Sequence, residues 1–393
     1  MMFLQYAIWG SWSAVLSEYL MNGLGFTGMQ VGVIYSLLPL ATIISPFIGG
    51  QFADRYFSTE KVIAFFQLSG GALLLYMSKV TDYSTMALLM FLYCLLYAPT
   101  LALTNSIAFI NLEDSEKDFG KIRVGGTLGW IAAGLGLTLW RILARNNPSL
   151  AMSGDTLILA GLISIAMGFH SLLLPHTPPK KEGSSPLAFL EALKMLKDFN
   201  FLVFLLISFV VSTELMFYYI LTAPYLVSDV IGLSNDTVAS VMTIAQIAEI
   251  FVMALLLPII LPKYGIRKTM VIGVLAWPIR YIIFAIGAPS WLVIASLALH
   301  GFCYVFFFTV AFIYVDTVAP KDIRNSAQSL ITVVVLGFGN YVGSLFAGWV
   351  QSYYTVDNVT NWRGVFIVPV VLTVLCAVAF LTMFKERKGP IQT

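Results

Sequence analysis

Long runs of apolar residues separated by short polar segments form the dominant pattern along this chain. Each run approaches or exceeds the roughly 20 residues that a helix needs to cross about 30 Å of hydrocarbon. The runs lack the alternation of apolar and polar positions that is typical of membrane barrels, and lipid offers no partners to unpaired backbone groups. We therefore predict twelve membrane-spanning helices, at roughly 3–23, 29–52, 62–78, 84–111, 124–140, 156–174, 200–227, 237–262, 269–287, 291–315, 326–350 and 364–384.

One polar segment is much longer than the others and divides the chain. The second half of residues 175–198 places leucines at helical spacing beside two lysines, the pattern of an amphipathic helix on a membrane surface. We predict three parts, which are an N-terminal six-helix bundle at 1–176, a cytoplasmic linker with an amphipathic helix at 177–198, and a C-terminal six-helix bundle at 199–393.

The two predicted bundles share sequence features. ADRYFSTEKV (53–62) follows the second span, and LPKYGIRKTM (261–270) follows the eighth span about 208 residues later. SIAFINLEDSEKD (106–118) is echoed by TVAFIYVDTVAPKD (309–322) at an offset of about 203. An offset of half the 393-residue chain is typical of transporters built from two parallel repeats, whose substrate site lies near the bilayer midplane between the halves.

The distribution of lysine and arginine predicts the orientation. With both termini in the cytoplasm, 17 of the 22 Lys and Arg residues fall in cytoplasmic segments, which agrees with the positive-inside rule. Composition also favours a bilayer, since 59% of the residues are hydrophobic and 11% are charged. We predict a monomeric multi-pass protein of the inner membrane, surrounded by lipid, and the net charge of +2 gives no indication of a nucleic-acid partner.

The sequence contains no pattern that is typical of an enzyme or a metal protein. It has no phosphate-binding glycine loop and no nucleophile with a base at a usable spacing. Cys94, Cys303 and Cys376 lie in predicted spans without metal-ligand spacing, so we interpret them as small core residues. We therefore predict that the protein is not an enzyme and uses neither a cofactor nor a metal.

Several short strings, spread over both halves, carry a family resemblance. They are LQYAIWGSW (4–12), SPFIGGQFADRYFS (45–58), YAPTLALTNSIAF (97–109), RVGGTLGW (123–130), QIAE (246–249), KYGIRK (263–268) and IRNSAQ (323–328). Together they resemble the bacterial nucleoside:proton symporter family, the nucleoside permeases of the major facilitator superfamily. The pattern G-x-x-x-D-R at Gly50, Asp54 and Arg55 resembles the signature of that superfamily and falls in the expected loop.

The resemblance implies an all-α membrane protein with twelve transmembrane helices in two six-helix pseudo-repeat bundles, the major facilitator fold. It also implies a secondary active transporter that imports nucleosides by proton symport through alternating access. The predicted partners are therefore a nucleoside and protons. The alternative function is proton-coupled or facilitative transport of sugars or related polyols.

The resemblance also implies a central nucleoside pocket lined from the fifth and eighth predicted helices. Arg123, Thr127 and Trp130 match pocket positions of the family in the fifth helix, and Gln246 and Glu249 match such positions in the eighth. Each set shares one helical face by its spacing. A carboxylate and an amide can bind vicinal ribose hydroxyls, and an indole can stack on a base, whereas a sugar would use only the hydroxyl-binding pair.

The seventh and tenth predicted helices depart from the family pattern. Met216 and Tyr219 stand where the best-known members have polar amides, and Val305 stands where they have a carboxylate. The tenth helix offers His300 and Tyr304 four residues apart instead. We include Met216, Tyr219, His300 and Tyr304 among the predicted substrate-binding residues, because the departures suggest a different base preference.

Three ionisable groups in predicted spans are candidates for proton coupling, namely Glu249, Glu214 and His300. Ionisable groups are costly to bury in a membrane and usually face a cavity or a partner. Each has a structural alternative. Glu249 and His300 could make hydrogen bonds to neighbouring helices, and Glu214 could form an ion pair with Arg280 or His300.

Two further interpretations stay open for charged residues near the ends of predicted helices. Arg123 has two interpretations. It is a pocket residue, as a cation for the substrate or as the partner of a carboxylate, or it is a solvated arginine that follows the positive-inside rule. By the superfamily resemblance, Asp54 and Arg55 belong to a cytoplasmic latch that stabilises one transport state, although Arg55 alone also fits a plain topology signal.

Two glycine pairs predict close helix packing. Gly125 and Gly129 are four residues apart, as are Gly339 and Gly343. Small residues at this spacing let helix backbones approach closely in a membrane. We expect both pairs to lie against neighbouring helices.

Overall fold

Helices account for most of the described chain. The computed structural model describes residues 1–55, 57–112, 115–178, 188–387 and 389–391, and for 46–55, 115–118, 120–121 and 188 it describes the backbone alone. Apolar side chains and the absence of water favour helices here, because a helix satisfies its own backbone groups. The prediction of an all-helical membrane protein is confirmed in this respect.

The described part before residue 179 contains seven α-helices. They are α1 (Met2–Trp12), α2 (Leu16–Glu18), α3 (Gly28–Arg55), α4 (Thr59–Met77), α5 (Tyr83–Asn111), α6 (Ser115–Asn146) and α7 (Asp155–Ser171). A π-helical turn follows α2 at Tyr19–Gly23, and a 3₁₀ turn precedes α7 at Pro148–Leu150.

The described part from residue 188 onward begins with a 3₁₀ helix at Ala188–Lys197. The α-helices that follow are α8 (Phe199–Val227), α9 (Val238–Phe251), α10 (Leu257–Ile286), α11 (Ser290–Ser296), α12 (Leu299–Cys303), α13 (Val310–Val318), α14 (Arg324–Thr332), α15 (Asn340–Tyr353) and α16 (Trp362–Met383). Shorter helical turns join them, namely the π-helical turns Val252–Leu256, Tyr304–Thr309 and Val333–Gly339 and the 3₁₀ turn Lys321–Ile323. The antiparallel strands β1 (Thr355–Val356) and β2 (Val359–Thr360) form a short hairpin before α16.

Eight helical stretches among the described residues are long and apolar enough to cross a membrane. They are Gly28–Ser45, Tyr83–Asn111, Ile122–Asn146, Phe199–Val227, Val238–Ile286, Ser290–Val318, Lys321–Tyr353 and Trp362–Met383. Val238–Ile286 has 49 residues, about twice the length that one crossing needs. Its continuity is interrupted inside α10 by Gly265, whose φ of 76° and ψ of 174° are non-helical.

The chain divides into two compact units. The first comprises the described residues of Met1–Ser184 together with Thr222–Ser228 and Leu233–Thr243. The second comprises the described residues of Ser185–Leu221, Asp229–Gly232 and Ile244–Thr393.

A closed polar network lies in the core of the first unit. The Gln67 amide donates to Gln5 Oε1 at 2.9 Å and to Thr100 Oγ1 at 3.1 Å, and the Ser164 hydroxyl donates to Gln67 Oε1 at 2.7 Å. The Gln5 amide in turn donates to Thr100 Oγ1 at 2.7 Å. The network therefore joins α1, α4, α5 and α7 by side-chain hydrogen bonds, all of them buried.

Glycines allow α1 and α6 to pack closely in the first unit. A Cβ on Gly129 would lie 2.0 Å from the Phe3 carbonyl oxygen, and a Cβ on Gly10 would lie 2.7 Å from Trp130 Cα. Gly129 therefore has the predicted role. Gly125 does not, because a Cβ there would meet nothing within 4 Å, and the second close approach uses Gly10 of α1 instead.

The glycine pair of the second unit packs as predicted. A Cβ on Gly339 would lie 1.7 Å from Ser212 Oγ, and a Cβ on Gly343 would lie 2.6 Å from Thr213 Cα. The pair therefore brings the region of α15 against α8 at van der Waals distance.

A carboxylate fastens the start of α4 to the chain that follows α7. Glu60 Oε1 lies 2.9 Å from His176 Nδ1, and Glu60 Oε2 accepts from the Thr177 N–H at 3.1 Å. Burial alone would raise the pKa of Glu60, but these hydrogen bonds contribute to lowering that pKa to about 2. Because the folded-state pKa lies below the ordinary 4.5, this stabilisation is fully present above pH 4.5 and is lost as the pH falls towards 2.

A corresponding contact lies in the second unit after α16. The Glu386 carboxylate accepts from the N–H groups of Ile266 at 3.3 Å and Arg267 at 3.1 Å, directly after the break at Gly265. These N–H groups begin the second segment of α10, where backbone donors lack helical partners. Glu386 thus caps a helix segment that is distant in sequence.

Replacing Gln67 by Leu should destabilise the first unit, because Gln5, Thr100 and Ser164 would each lose a buried partner. We expect a loss of about 1–3 kcal/mol and a melting temperature in detergent lower by about 5 °C. Thr42→Val is the control, since the Thr42 hydroxyl bonds only to Leu38 of its own helix among the described residues. An equal effect of the two substitutions would contradict the network's role.

Candidate functional site

The predicted residues of α6 lie beside α1 in the first unit. The Arg123 guanidinium carbon is 4.0 Å from the ring centroid of Tyr6, so half-buried Arg123 makes a cation–π contact. Trp130 is 8% exposed, and its ring centroid lies 5.3 Å from that of Trp9. Thr127 is half-buried one turn from Arg123.

His300 occupies the centre of the predicted residues in the second unit. Its side chain is fully buried, and its ring stacks on Tyr218 with a centroid distance of 4.4 Å. Tyr304 stacks on the same imidazole at 5.7 Å, and Tyr219 meets it edge-on at 6.2 Å. The structure therefore brings His300, Tyr304 and Tyr219 together and adds Tyr218, which the sequence analysis did not select.

A glycine places Glu249 beside this aromatic group. A Cβ on Gly301 would lie 2.6 Å from the Ala248 carbonyl oxygen and 3.0 Å from the Glu249 backbone nitrogen. The backbone of α12 therefore touches that of α9 at Glu249. Glu249 is half-buried and interacts electrostatically with Tyr218 and Tyr219.

Gln246 lies one turn before Glu249 and points towards Tyr218. The side chain is 4% exposed, and its Oε1 has no hydrogen-bond partner among the described residues. A buried acceptor without a partner is unusual in a native protein and is available to a ligand hydroxyl or to water. The predicted pair Gln246 and Glu249 thus lies next to the aromatic rings.

Met216 and Val305 are buried apolar residues of the second unit. A Cβ on Gly343 would come within 3.1 Å of Met216 Cγ, so Met216 packs towards α15. Val305 is fully buried in the π-helical turn that begins at Tyr304. Both departures from the family pattern are therefore buried in the second unit.

Arg280 is the main buried residue that the sequence analysis named only as a possible partner. It is fully buried, and its Nη1 lies 3.2 Å from His300 Nδ1. Glu214 is also fully buried, and neither of its carboxylate oxygens has a hydrogen-bond partner among the described residues. The signal in the sequence was an arginine inside an apolar span, which is costly unless a function or a partner retains it.

A charged group in the first unit was also missed. Arg141 of α6 donates to both carboxylate oxygens of Asp155, at 2.6 and 2.9 Å, and to the Asn235 carbonyl at 3.0 Å. Glu18 interacts electrostatically with Arg141. Both residues line a cavity of about 500 Å³. The only signal in the sequence was the charges themselves, because Asn235 and Glu18 are distant from Arg141 along the chain, although Asp155 is 14 residues away.

The side chains of Asp54 and Arg55 lie outside the described part of the structure, which records their backbone as the last residues of α3.

A solved structure gives the class of protein. The crystal structure of the nucleoside transporter NupG matches this chain with a TM-score of 0.87 and 29% identity, covering 98% of each chain. Together with apolar helices that enclose buried ionisable groups, this likeness defines a helical membrane transporter rather than an enzyme.

Sequence comparison gives the family. The profile described as "Nucleoside H+ symporter" matches residues 1–389, and the chain belongs to this family. YegT of Escherichia coli (strain K12), which is classed as a nucleoside transporter, is 36% identical over 412 aligned positions that cover 100% of this chain and 94% of YegT. The xanthosine permease of the same organism is 30% identical, with coverages of 99% and 96%. The family prediction is confirmed.

Replacing Gly301 by Ala should impair nucleoside uptake more than stability, because the new methyl group would push α12 away from Glu249. We expect the initial uptake rate to fall about tenfold, as displacement of a binding group by about 1 Å can have effects of this size. Gly125→Ala is the matched control, since a Cβ there meets nothing within 4 Å. Uptake of labelled nucleoside into proteoliposomes measures the difference, and unchanged uptake by the Gly301 variant would contradict the positioning role.

Proposed function

We propose that this protein imports nucleosides by proton symport through alternating access. The observation that carries the proposal is the position of Gln246 and Glu249, an amide and a carboxylate, beside the rings of Tyr219, His300 and Tyr304. Ribose presents two neighbouring hydroxyls that both donate and accept, which this polar pair can bind. The aromatic faces next to the pair suit a flat base or the apolar face of a sugar ring.

Each predicted substrate-binding residue has a task in this proposal. Trp130 stacks on the base, and Arg123 and Thr127 bind its polar edge, whereas Gln246 and Glu249 bind the ribose. The cation–π contact with Tyr6 supports a fixed position for Arg123.

His300, Tyr304 and Tyr219 form the wall beside the ribose, and Met216 fixes that wall by packing on α15.

We further propose twelve transmembrane helices with both termini in the cytoplasm and a monomer in the inner membrane. Three helical segments outside the eight apolar stretches support this number. They are the segment from α1 to the turn Tyr19–Gly23, α4 and α7, while Val238–Ile286 is long enough for two crossings. Asp54 and Arg55, at the end of α3, would belong to the cytoplasmic latch.

The candidates for proton coupling are Glu249, Glu214 and His300. All three lie in the second unit, and His300 links them because it contacts Arg280 and Tyr218, which in turn interact with Glu214 and Glu249 respectively. Protonation of an acid close to the ribose-binding pair would couple proton movement to substrate binding.

Uptake of labelled uridine and adenosine into proteoliposomes tests the proposed function. With an inward proton gradient we expect the nucleoside to accumulate above its external concentration, and with the gradient collapsed we expect equilibration alone. Equilibration under both conditions would identify a facilitator. Uptake of a free sugar in preference to both nucleosides would favour the alternative substrate class and contradict the proposal.

Replacing Trp130 by Leu should weaken nucleoside uptake more than uptake of ribose, because only the nucleoside has a base to stack. Loss of one stacking contact should raise the apparent KM for adenosine about tenfold. Trp349→Leu is the control, since Trp349 is 50% exposed on α15. An equal loss for adenosine and ribose would show that Trp130 has a structural role instead.

A further inference from the structure

Glu214 lies in an environment that disfavours its charged form. It belongs to α8 and has no exposed surface. Neither carboxylate oxygen accepts a hydrogen bond from the described residues, and no described cation lies within ion-pair distance. An ionised carboxylate without such partners is strongly disfavoured in a protein interior, whereas a protonated one is neutral. The surroundings therefore favour a proton on Glu214 in this conformation.

Arg280 supplies the opposite charge nearby without forming an ion pair. Its guanidinium carbon lies 4.8 Å from the ring centroid of Tyr218, 4.6 Å from that of Trp277 and 4.9 Å from that of Tyr281. Three aromatic faces stabilise the cation. The Tyr281 hydroxyl also donates to the Glu214 backbone carbonyl at 2.5 Å, which joins α10 to α8 next to the acid.

Buried polar groups continue from Arg280 to the proposed ribose-binding pair. Arg280 Nη1 lies 3.2 Å from His300 Nδ1, and the His300 ring stacks on Tyr218. Among the described residues, His300 Nε2, the Tyr218 hydroxyl and Gln246 Oε1 all lack a hydrogen-bond partner. These polar atoms without partners provide places where water, or a proton in transit, can bind between Glu214 and Gln246.

Other titratable groups also surround Glu214. Arg280 and Tyr281 face it from α10, Cys376 faces it from α16, and His300 and Cys303 lie beyond Arg280 on α12. Tyr218 lies on the same helix as Glu214. Among these described groups Arg280 alone is a cation at every pH of interest, because a guanidinium does not lose its proton. Arg280 is therefore the charge that can stabilise an ionised Glu214.

We propose that Glu214 carries the coupled proton and that Arg280 is the positioning residue whose charge stabilises the Glu214 carboxylate once the proton has left. This inference rests on the proposed nucleoside:proton symport and identifies the residue that carries the transported proton. On release, the carboxyl O–H bond breaks, the proton passes to water, and the new carboxylate pairs with the Arg280 guanidinium. The net charge of the pair changes from +1 to 0. Because Arg280 also contacts His300, the change reaches the group of residues that contains Gln246 and Glu249.

Replacing Glu214 by Gln tests this assignment, since Gln keeps the shape and cannot lose a proton. Two assays on the purified protein in proteoliposomes separate binding from coupling. Counterflow exchange of labelled nucleoside requires no net proton movement, and we expect it to stay within about twofold of wild type. Accumulation driven by a proton gradient requires proton release, and we expect it to fall to equilibration. Glu18→Gln is the matched control, a second buried glutamate that should keep accumulation.

The opposite result would overturn the assignment, namely wild-type accumulation by the Glu214→Gln variant. The Glu214→Gln variant could also lose counterflow, because Arg280 would keep a buried charge that the new amide cannot balance. The double variant Glu214→Gln, Arg280→Met removes that charge. We expect the double variant to exchange nucleoside without accumulating it. Accumulation by the double variant would equally exclude Glu214 as the proton carrier.

A binding measurement decides the assignment even if both variants are inactive in transport. Because a symported proton and nucleoside favour each other's binding, adenosine should bind the wild type in detergent about tenfold more tightly at pH 5.5 than at pH 8.5, and Glu214→Gln should bind it equally at both pH values. A pH dependence like that of the wild type in the variant would overturn the assignment. Wild-type protein that does not accumulate nucleoside on a proton gradient would instead contradict the proposed function, so the two failures are distinguishable.

Discussion

Water is absent from the hydrocarbon core of a bilayer, so each polar group placed there must find its partner within the protein. Around Gln67, the first unit meets this constraint with a closed set of side-chain hydrogen bonds. The second unit meets this constraint only in part around Arg280. Aromatic faces stabilise Arg280, and neither carboxylate oxygen of Glu214 has a hydrogen-bond partner among the described residues. A fully satisfied network makes a core rigid, whereas a buried polar atom without a partner needs a specific explanation, such as a functional role or a bound water. The residues around Gln67 and those around Arg280 therefore differ in how completely their polar atoms are paired among the described residues.

Much of the fold follows from the sequence because hydropathy and the cost of unpaired backbone groups are local properties. The position of Gln246 and Glu249 on one helical face follows equally from their spacing. The sequence could not predict that Arg280 lies beside His300, because that contact depends on how α10 packs against α12. Gly125 and Gly129 show the same limit, since one spacing rule selected both and packing uses only Gly129.

The repeat seen in the sequence has a counterpart in the described contacts of each unit. In the first unit, Glu60 at the start of α4 binds the chain that follows α7 through the Thr177 N–H. In the second unit, the chain that follows α16 supplies Glu386, which binds the N–H groups of Ile266 and Arg267. The segments correspond at the offset of about 208 residues, although the carboxylate comes from opposite partners. In this chain the two halves therefore share the place of the contact but not the residue that makes it.

The same reasoning explains why an arginine stands at position 280. The guanidinium carbon of Arg280 lies over the rings of Tyr218, Trp277 and Tyr281, and the N–H groups remain available for hydrogen bonds. A lysine would concentrate its charge at one point and hold water more strongly, so it would need a fixed carboxylate. With arginine, the cation stays buried both when Glu214 is neutral and when it is ionised. A proton can then leave Glu214 without exposing an uncompensated charge to hydrocarbon, which is the energetic condition for coupling inside a membrane.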